Sequence, residues 1–199
     1  MNLNHARVCT SPEWAEQLQT LVLPKVTAGV ELGPAMLEVG PGPGAATDWL
    51  RRRVERLVAV EYEQAAAEAL AARYAGTNVE VLHGDATALP FADAAFDAVG
   101  CFTMLHHVPT PALQNRLLAE ALRVLRPGGV LVGSDSLPGD ALHHFHEGDT
   151  YNPVEPSAFL ARLQTLGFEQ LTIGVGRVLT FVAHKPSGDH EGSVGADAD

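Results

Sequence analysis

Basic residues are scarce in this sequence. Only two lysines accompany eleven arginines, and the formal net charge of the 199 residues is −11. Arg51-Arg52-Arg53 forms the single basic run, and it is typical of a solvated helix end, whose negative pole favours cations. Because binding to a phosphate backbone requires clustered cations, the sequence predicts no nucleic-acid partner.

Cysteines and long apolar runs are equally scarce. Cys9 and Cys101 are the two cysteines and lie far apart, without CxxC spacing, which favours a reducing compartment. The N-terminus lacks the charged-then-apolar profile of a signal peptide. No apolar run reaches the roughly 20 residues that a membrane-spanning helix needs. We therefore expect a soluble, cytoplasmic protein that does not associate with a membrane.

The composition is that of one globular domain, with 46% hydrophobic and 19% charged residues. Apolar runs alternate with alanine- and leucine-rich stretches of helical length. Such alternation predicts βαβ units, and hence a parallel sheet with helices on both faces. The predicted strands are Met36 to Val39, Leu57 to Val60, Val79 to Leu82, Phe96 to Phe102 and Val130 to Gly133.

Helix signals lie before, between and after these runs. Ser11-Pro12-Glu13 combines an N-cap residue, a proline at the first helical position and an acid, and predicts an N-terminal helix that covers the core or the site. Arg126-Pro127-Gly128-Gly129 is expected to end the third of the predicted helices. The others are predicted from composition and periodicity, over Gln64 to Arg73, Pro111 to Leu125 and Pro156 to Leu166.

The C-terminal third departs from the alternation. Leu137 to Glu155 shows no clean period, and a loop of that length inside a domain is usually functional. Phe168 to Ile173 and Val178 to His184 flank a glycine-containing turn and predict a hairpin, so the sheet should finish with an antiparallel strand. Residues 1–185 are thus expected to form the domain, and 186–199 a disordered acidic tail.

A glycine-proline turn follows the first strand. Gly40, Gly42 and Gly44 permit a sharp turn and a close approach of the backbone to a ligand. Together with Ala45 they also satisfy the GxGxx(G/A) dinucleotide pattern, and Glu61 lies at about the spacing of a ribose-binding acid. An NAD(P)-dependent oxidoreductase is therefore an open alternative.

The prolines and one acid favour a ligand without phosphate. Pro41 and Pro43 lack amide hydrogens, so the turn offers fewer donors to a pyrophosphate. Glu38 precedes the turn, and its carboxylate would repel a diphosphate but attract an ammonium or a sulfonium group. S-adenosylmethionine carries both cations.

Two further acids follow the second and third strands. Glu61 can accept hydrogen bonds from both ribose hydroxyls; alternatively, it is an acid favoured near a helix N-terminus. Asp85 can accept from the adenine amine while the Ala86 amide donates to a ring nitrogen, although Asp in such a turn is often a capping residue. With Glu38, these acids should line the carboxyl edge of the sheet, where ligands bind.

Five segments in order carry a family resemblance. The sequence resembles class I S-adenosylmethionine-dependent methyltransferases, particularly the small-molecule branch that includes the ubiquinone/menaquinone C-methyltransferases. The resemblance spans about Leu37 to Gly133. Its segments are LEVGPGPG, VAVEYE, HGDATALPF, FDAVGCFTMLHHV and LRVLRPGGVLV.

The resemblance implies a Rossmann-like seven-stranded sheet of order 3-2-1-4-5-7-6, with strand 7 antiparallel. It also implies a cofactor site for S-adenosylmethionine. Glu38, Gly40, Gly42 and Gly44 would hold the methionine part; Glu61, with Tyr62 beside it, would bind the ribose. Asp85 and Ala86 would bind the adenine, and Cys101 and Phe102 would contact the methionine end.

Methyl transfer needs an aligned nucleophile and, for some acceptors, a base. His107 is the predicted base and His146 a second candidate, although His107 could equally cap or pack the next turn. The histidines and acids of residues 143–149 could bind a metal, but they lack a recognised ligand spacing, so no metal is predicted. The expected acceptor is a small organic molecule methylated on O, N or C. A methyltransferase-like protein that binds without catalysis remains a further alternative.

Overall fold

The computed structural model describes residues 7–188, apart from the side chain of Ala141. Most of the segment predicted to be a disordered tail, residues 189–199, lies outside the described residues. Residues 186–188 have no regular secondary structure.

The N-terminal segment is helical, as predicted. It passes from α1 (Pro12–Gln17) through a π-helical stretch (Leu18–Val22) into α2 (Leu23–Val26). The side chain of Ser11 caps α1 by accepting a hydrogen bond from the Trp14 amide at 3.2 Å. Further along, Gln19 Nε2 donates to the Ala45 carbonyl at 2.8 Å. This bond holds the helical segment against the turn that follows the first strand.

Seven strands form one sheet in the order β3-β2-β1-β4-β5-β7-β6. Strand β7 pairs antiparallel with both β5 and β6, and the remaining pairs are parallel. The predicted strand order and the reversed strand 7 are therefore confirmed. The strands are β1 (Ala35–Val39), β2 (Arg56–Glu61), β3 (Val79–His83), β4 (Phe96–Phe102), β5 (Leu125–Asp135), β6 (Glu169–Val175) and β7 (Leu179–His184).

Apolar side chains pack on both faces of the sheet, because successive residues of a strand point to opposite sides. In β1, Met36 joins a cluster with the N-terminal helices, whereas Leu37 and Val39 join a second cluster with the later helices. The remaining helices are α3 (Thr47–Leu50), α4 (Gln64–Arg73), a 3₁₀ turn (Leu105–His107), α5 (Pro111–Val124), α6 (Asp140–Phe145) and α7 (Pro156–Leu166). None of the helices between residues 7 and 188 has the length and apolar character needed to cross a lipid bilayer.

The junction between α5 and β5 differs from the prediction. Helix α5 ends at Val124, one residue before its predicted end, but β5 begins at Leu125 instead of Val130 and includes Arg126-Pro127-Gly128-Gly129. Leu125 is already extended, with φ −69° and ψ 137°, and pairs with Phe96. The next residue, Arg126, precedes Pro127, and a residue before proline is largely restricted to extended conformations. Regular pairing with β4 and β7 then resumes at Val130 after a register shift, while Gly128 and Gly129 form backbone hydrogen bonds with Lys185.

The segment predicted as a long loop contains a short helix. Helix α6 occupies Asp140–Phe145 within the stretch Leu137 to Glu155. Its polar and histidine-rich composition gave no apolar stripe from which this helix could be predicted. The rest of the stretch is irregular, and its residues Asp149 and Thr150 line the cavity at the carboxyl ends of the strands.

Candidate active site

A cavity of about 450 Å³ opens at the carboxyl ends of the parallel strands. The sheet order changes direction between β1 and β4, which is the position where ligands bind in open α/β sheets. Nine of the predicted site residues line the cavity: Glu38, Gly40, Gly42, Glu61, Tyr62, Asp85, Ala86, Phe102 and His107.

Glu38 is a buried acid at the floor of the cavity, with 1% of its surface exposed. Its Oε2 accepts a hydrogen bond from the Thr47 hydroxyl at 2.7 Å. Burial, and to a smaller extent the charges of Glu61 and Asp48, raise the pKa of Glu38 to about 7. A carboxyl in this state gains most from a cation placed beside it, because the cation offsets the cost of ionising in a buried position.

Glu61 connects β2 to the glycine turn. Its Oε2 accepts from the Gly42 amide at 3.0 Å, and its Oε1 accepts from the Glu63 amide at 3.1 Å. An ionised carboxylate has about four acceptor positions, so both oxygens can still accept from a ligand hydroxyl. The side chain therefore supports the turn and remains able to bind a ribose.

The three glycines of the turn adopt positive φ for different local reasons. Gly40, Gly42 and Gly44 have φ of 64°, 52° and 86°. At Gly42 an added Cβ would meet nothing within 4 Å, whereas at Gly44 it would lie 2.7 Å from the hydroxyl of Tyr74. Gly44 does not line the cavity. It allows the turn to pack against Tyr74, whose hydroxyl donates to the Gly44 carbonyl at 3.2 Å.

Asp85 and Ala86 lie at the rim, after β3. One oxygen of Asp85 accepts from the Thr87 amide at 2.8 Å, which is the turn-capping arrangement. Its side chain is exposed and lines the cavity, so the second oxygen is accessible to a ligand. The structure thus shows the capping bond and leaves the predicted adenine contact as a proposal.

Two residues at the end of β4 have different positions. Phe102 lines the cavity, whereas Cys101 is fully buried within the sheet and is not part of the wall. Burial raises the pKa of the Cys101 thiol well above its usual value. A buried thiol of this kind is inert, so Cys101 contributes packing beneath the site.

Three histidines lie in or behind the wall of the cavity. His107 lines the wall, while His106 and His146 are buried behind it. The ring centroids of His107 and His146 are 5.4 Å apart. His106 Nδ1 lies 2.5 Å from Oδ1 of the buried Asp135 at the end of β5. His107 is thus the predicted base that can meet an acceptor directly.

Further residues line the cavity beside the nine named above. Trp14 and Leu18 come from the N-terminal helical segment, and Asp149 comes from the stretch after α6. Thr103 and Met104 follow β4, and Thr103 has an unusual φ of 57° for a β-branched residue. The segment FDAVGCFTMLHHV pointed to this region, but periodicity could not show which of its side chains face the ligand.

Comparison with known proteins agrees with this geometry. A sequence family described as "Methyltransferase domain" matches residues 37–133. A protein named "Probable S-adenosylmethionine-dependent methyltransferase" from Mycolicibacterium smegmatis is 32% identical over 151 residues, which cover 72% of this chain and 55% of that protein. The demethylmenaquinone methyltransferase of Clavibacter sepedonicus is 36% identical over 118 residues, covering 59% of this chain and 46% of that enzyme.

This chain carries a class I S-adenosylmethionine-dependent methyltransferase domain. The resemblance, and S-adenosylmethionine as the cofactor, are therefore confirmed. A solved structure supports the fold of the methyltransferase domain: the PH0226 protein of Pyrococcus horikoshii OT3 superposes with a TM-score of 0.76 at 19% identity, covering 93% of this chain and 100% of that one. The chain spans about half the length of the curated relatives it matches.

Proposed function

We propose that the chain transfers the methyl group of S-adenosylmethionine to a nucleophilic atom of a small organic acceptor. The observation that carries this proposal is one cavity lined both by the acids that follow β1, β2 and β3 and by a histidine with apolar side chains. The acids suit a cationic nucleoside, and the histidine and apolar side chains suit an acceptor molecule.

The three acids Glu38, Glu61 and Asp85 support the part of the proposal that concerns cofactor binding. Glu38 lies beside the proposed position of the methionine part, where an ammonium or sulfonium charge would favour its ionised form. Glu61 is assigned to the ribose, and Asp85 with the Ala86 amide to the adenine. Tyr62 is 67% exposed at the rim and is available to cover the adenosine.

The other lining residues support a small, largely apolar acceptor. They include Trp14, Leu18, Met104 and Val108, together with His107 and one further acid, Asp149. Among the described residues that line the cavity there is no lysine or arginine. A polyanionic substrate would therefore find no cation to pair with, in keeping with the prediction that nucleic acid is not a partner.

The residues present fit the chemistry of methyl transfer. S-adenosylmethionine supplies a methyl group on a sulfonium, which an acceptor nucleophile displaces in line. The protein's part is to hold the two reactants in that alignment and to exclude water. His107 takes the acceptor proton where the acceptor is protonated at the reacting atom, because its imidazole lines the cavity and can act as a base.

The test is a methyl-transfer assay with isotopically labelled S-adenosylmethionine and a panel of small acceptors. Because one relative is named for demethylmenaquinone, the panel begins with demethylated quinols and continues with phenols, amines and carboxylic acids. Transfer of label to at least one class supports the proposal. Binding of S-adenosylhomocysteine without labelling of any acceptor would favour the non-catalytic alternative, and binding of NAD(P)H alone would favour the oxidoreductase.

A further inference from the structure

Three histidine side chains meet at the wall of the cavity and behind it. His106 and His107 belong to the 3₁₀ turn after β4, and His146 follows helix α6. One ring nitrogen from each of the three lies within 4.8 Å of the other two. The ring centroid of His106 lies 4.1 Å from that of His107 and 5.0 Å from that of His146.

Two of these rings are oriented by a hydrogen bond from Nδ1 to an acceptor oxygen. His106 Nδ1 lies 2.5 Å from a carboxylate oxygen of Asp135, and His146 Nδ1 lies 2.7 Å from the carbonyl oxygen of Leu142. Carboxylates and carbonyls accept hydrogen bonds, so each Nδ1 carries the hydrogen and each Nε2 keeps its lone pair. A histidine that ligates a metal almost always donates its other N–H to a carboxylate or a backbone carbonyl in this way.

The segments that carry the three rings are fixed to one another. The Asn152 amide donates to the His106 carbonyl at 2.7 Å, and Asn152 Nδ2 donates to the Val108 carbonyl at 3.0 Å. The buried Gln114 bridges the same two segments by donating to the carbonyls of Leu105 and Asn152, at 2.8 and 2.9 Å. The stretch that delivers His146 is therefore held against the turn that carries the other two histidines.

We propose that His106, His107 and His146 form a binding site for a divalent first-row transition metal of the Zn²⁺ type. Imidazole is a preferred ligand of these ions, and three protein ligands with one open position is the arrangement of catalytic zinc sites. Zn–N bonds of about 2.0–2.1 Å place tetrahedral ligand nitrogens about 3.4 Å apart. The three ring nitrogens are now separated by up to 4.8 Å, so metal binding requires them to move closer together by up to about 1.4 Å.

The open position would be reached from the cavity. His107 lines the cavity, whereas His106 and His146 are buried behind it, so an acceptor in the cavity approaches the metal from that side. Resting on the proposed function, we assign that position to an oxygen of the acceptor, such as a phenolate, enolate or carboxylate oxygen. In the metal-bound protein His107 is a ligand, and the metal instead of the imidazole meets that oxygen.

This site differs from the one considered from sequence alone. The sequence drew attention to histidines and acids within residues 143–149, and no metal was predicted. The structure combines only His146 of that group with two histidines from the end of β4, which lie about forty residues earlier in the sequence. His143 and His144 are exposed on α6 and supply a matched control.

The test titrates Co²⁺ alone into tag-free, full-length protein that has been stripped with a chelator. We expect one equivalent to give the intense visible absorption of a four-coordinate, nitrogen-ligated ion, and Zn²⁺ to displace it. His146→Ala should abolish the absorption, while His144→Ala should leave it unchanged. Asp135→Asn, which removes the carboxylate beside His106 Nδ1, should weaken binding by about 10- to 100-fold.

The outcomes separate this inference from the proposed function. Titration of S-adenosylhomocysteine into each variant shows that it is folded and measures the cofactor site without metal. Failure of the native protein to bind one equivalent of Co²⁺, or equal binding by His146→Ala and His144→Ala, overturns the metal site and leaves the methyltransferase proposal untouched. If His146→Ala does not fold, the stoichiometry and coordination spectrum of the native protein decide the question.

Discussion

Glu61 Oε2 accepts a hydrogen bond from the Gly42 amide at 3.0 Å, across 19 residues of sequence. The acid at the end of β2 thereby fixes the glycine turn at the end of β1. The same carboxylate is assigned to the ribose, so its contribution to turn geometry must be separated from its contribution to binding.

A double-mutant cycle on protein and ligand makes that separation. We expect Glu61→Gln to weaken the binding of S-adenosylhomocysteine by about 10- to 150-fold, since hydrogen bonds to a charged group are worth about 1.5–3 kcal/mol. With an analogue that lacks both ribose hydroxyls, the same substitution should change affinity much less. Calorimetric titration measures all four affinities. Equal losses for both ligands would mean that Glu61 acts only through the turn.

Gly44 and Gly42 should differ in their tolerance of a side chain. Gly42→Ala places a Cβ in open space at positive φ, which costs about 1–2 kcal/mol of stability. Gly44→Ala adds a contact of 2.7 Å with the Tyr74 hydroxyl, so its free energy of unfolding should fall further. Urea denaturation measures both values. Removing the hydroxyl with Tyr74→Phe should recover part of the additional loss at Gly44, and no recovery would refute the steric explanation.

The raised pKa of Glu38 predicts a pH-dependent affinity for the cationic cofactor. Because the pKa of Glu38 is about 7 in the unliganded protein, the carboxyl is mostly protonated at pH 6 and must ionise to attract a cation. Affinity for S-adenosylmethionine should therefore rise between pH 6 and 8, by at most about tenfold per pH unit below that pKa, and then level off. Glu38→Gln should flatten this profile; an unchanged profile would assign the dependence to another group.

The same carboxyl should also affect stability in the absence of ligand. In the unfolded chain the pKa of Glu38 has its ordinary value of about 4.5, whereas burial raises that pKa to about 7 in the folded protein. The folded state therefore holds an extra proton between these values, and stability falls as pH rises through that window, by about 3 kcal/mol in all. Comparing unfolding of the native protein and Glu38→Gln at pH 4.5 and 8 provides an independent check.

Replacement of His107 tests the proposed base. His107→Ala should lower turnover by about 10²- to 10⁴-fold with an acceptor that loses a proton, while affinity for S-adenosylhomocysteine stays nearly unchanged. The assay is run with and without chelator, so that the base and metal-ligand roles can be compared. His144→Ala, on the exposed face of α6, is the control. Full turnover in His107→Ala would remove this residue from the mechanism.

The sequence predicted the parts of the fold that depend on short-range patterns. Met36 to Val39 and Leu57 to Val60 are apolar runs buried on both faces, and such runs specify central strands of a parallel sheet. The order of the strands came from the family resemblance instead. The early start of β5 at Leu125 was not predicted, because the segment before Val130 has no strand pattern of its own and the pairing of Leu125 with Phe96 is a tertiary effect.

In the candidate site, too, some features could be predicted from the sequence and others could not. Glu38, Glu61 and Asp85 could be predicted to lie together because each follows a neighbouring strand at the carboxyl edge. The burial that raises the pKa of Glu38 and the meeting of His146 with His106 could not be predicted. Both depend on how distant segments pack, and neither leaves a period or spacing in the sequence.

Thermal unfolding in the presence of cofactors tests the central claim most directly. A ligand that binds only the folded protein adds about 2.7 kcal/mol at 100 times its Kd, which for a chain of this size raises Tm by about 5–10 °C. We predict that S-adenosylhomocysteine produces this shift and that NAD(H) and NADP(H) do not. A shift with the nicotinamide cofactors and none with S-adenosylhomocysteine would contradict the account.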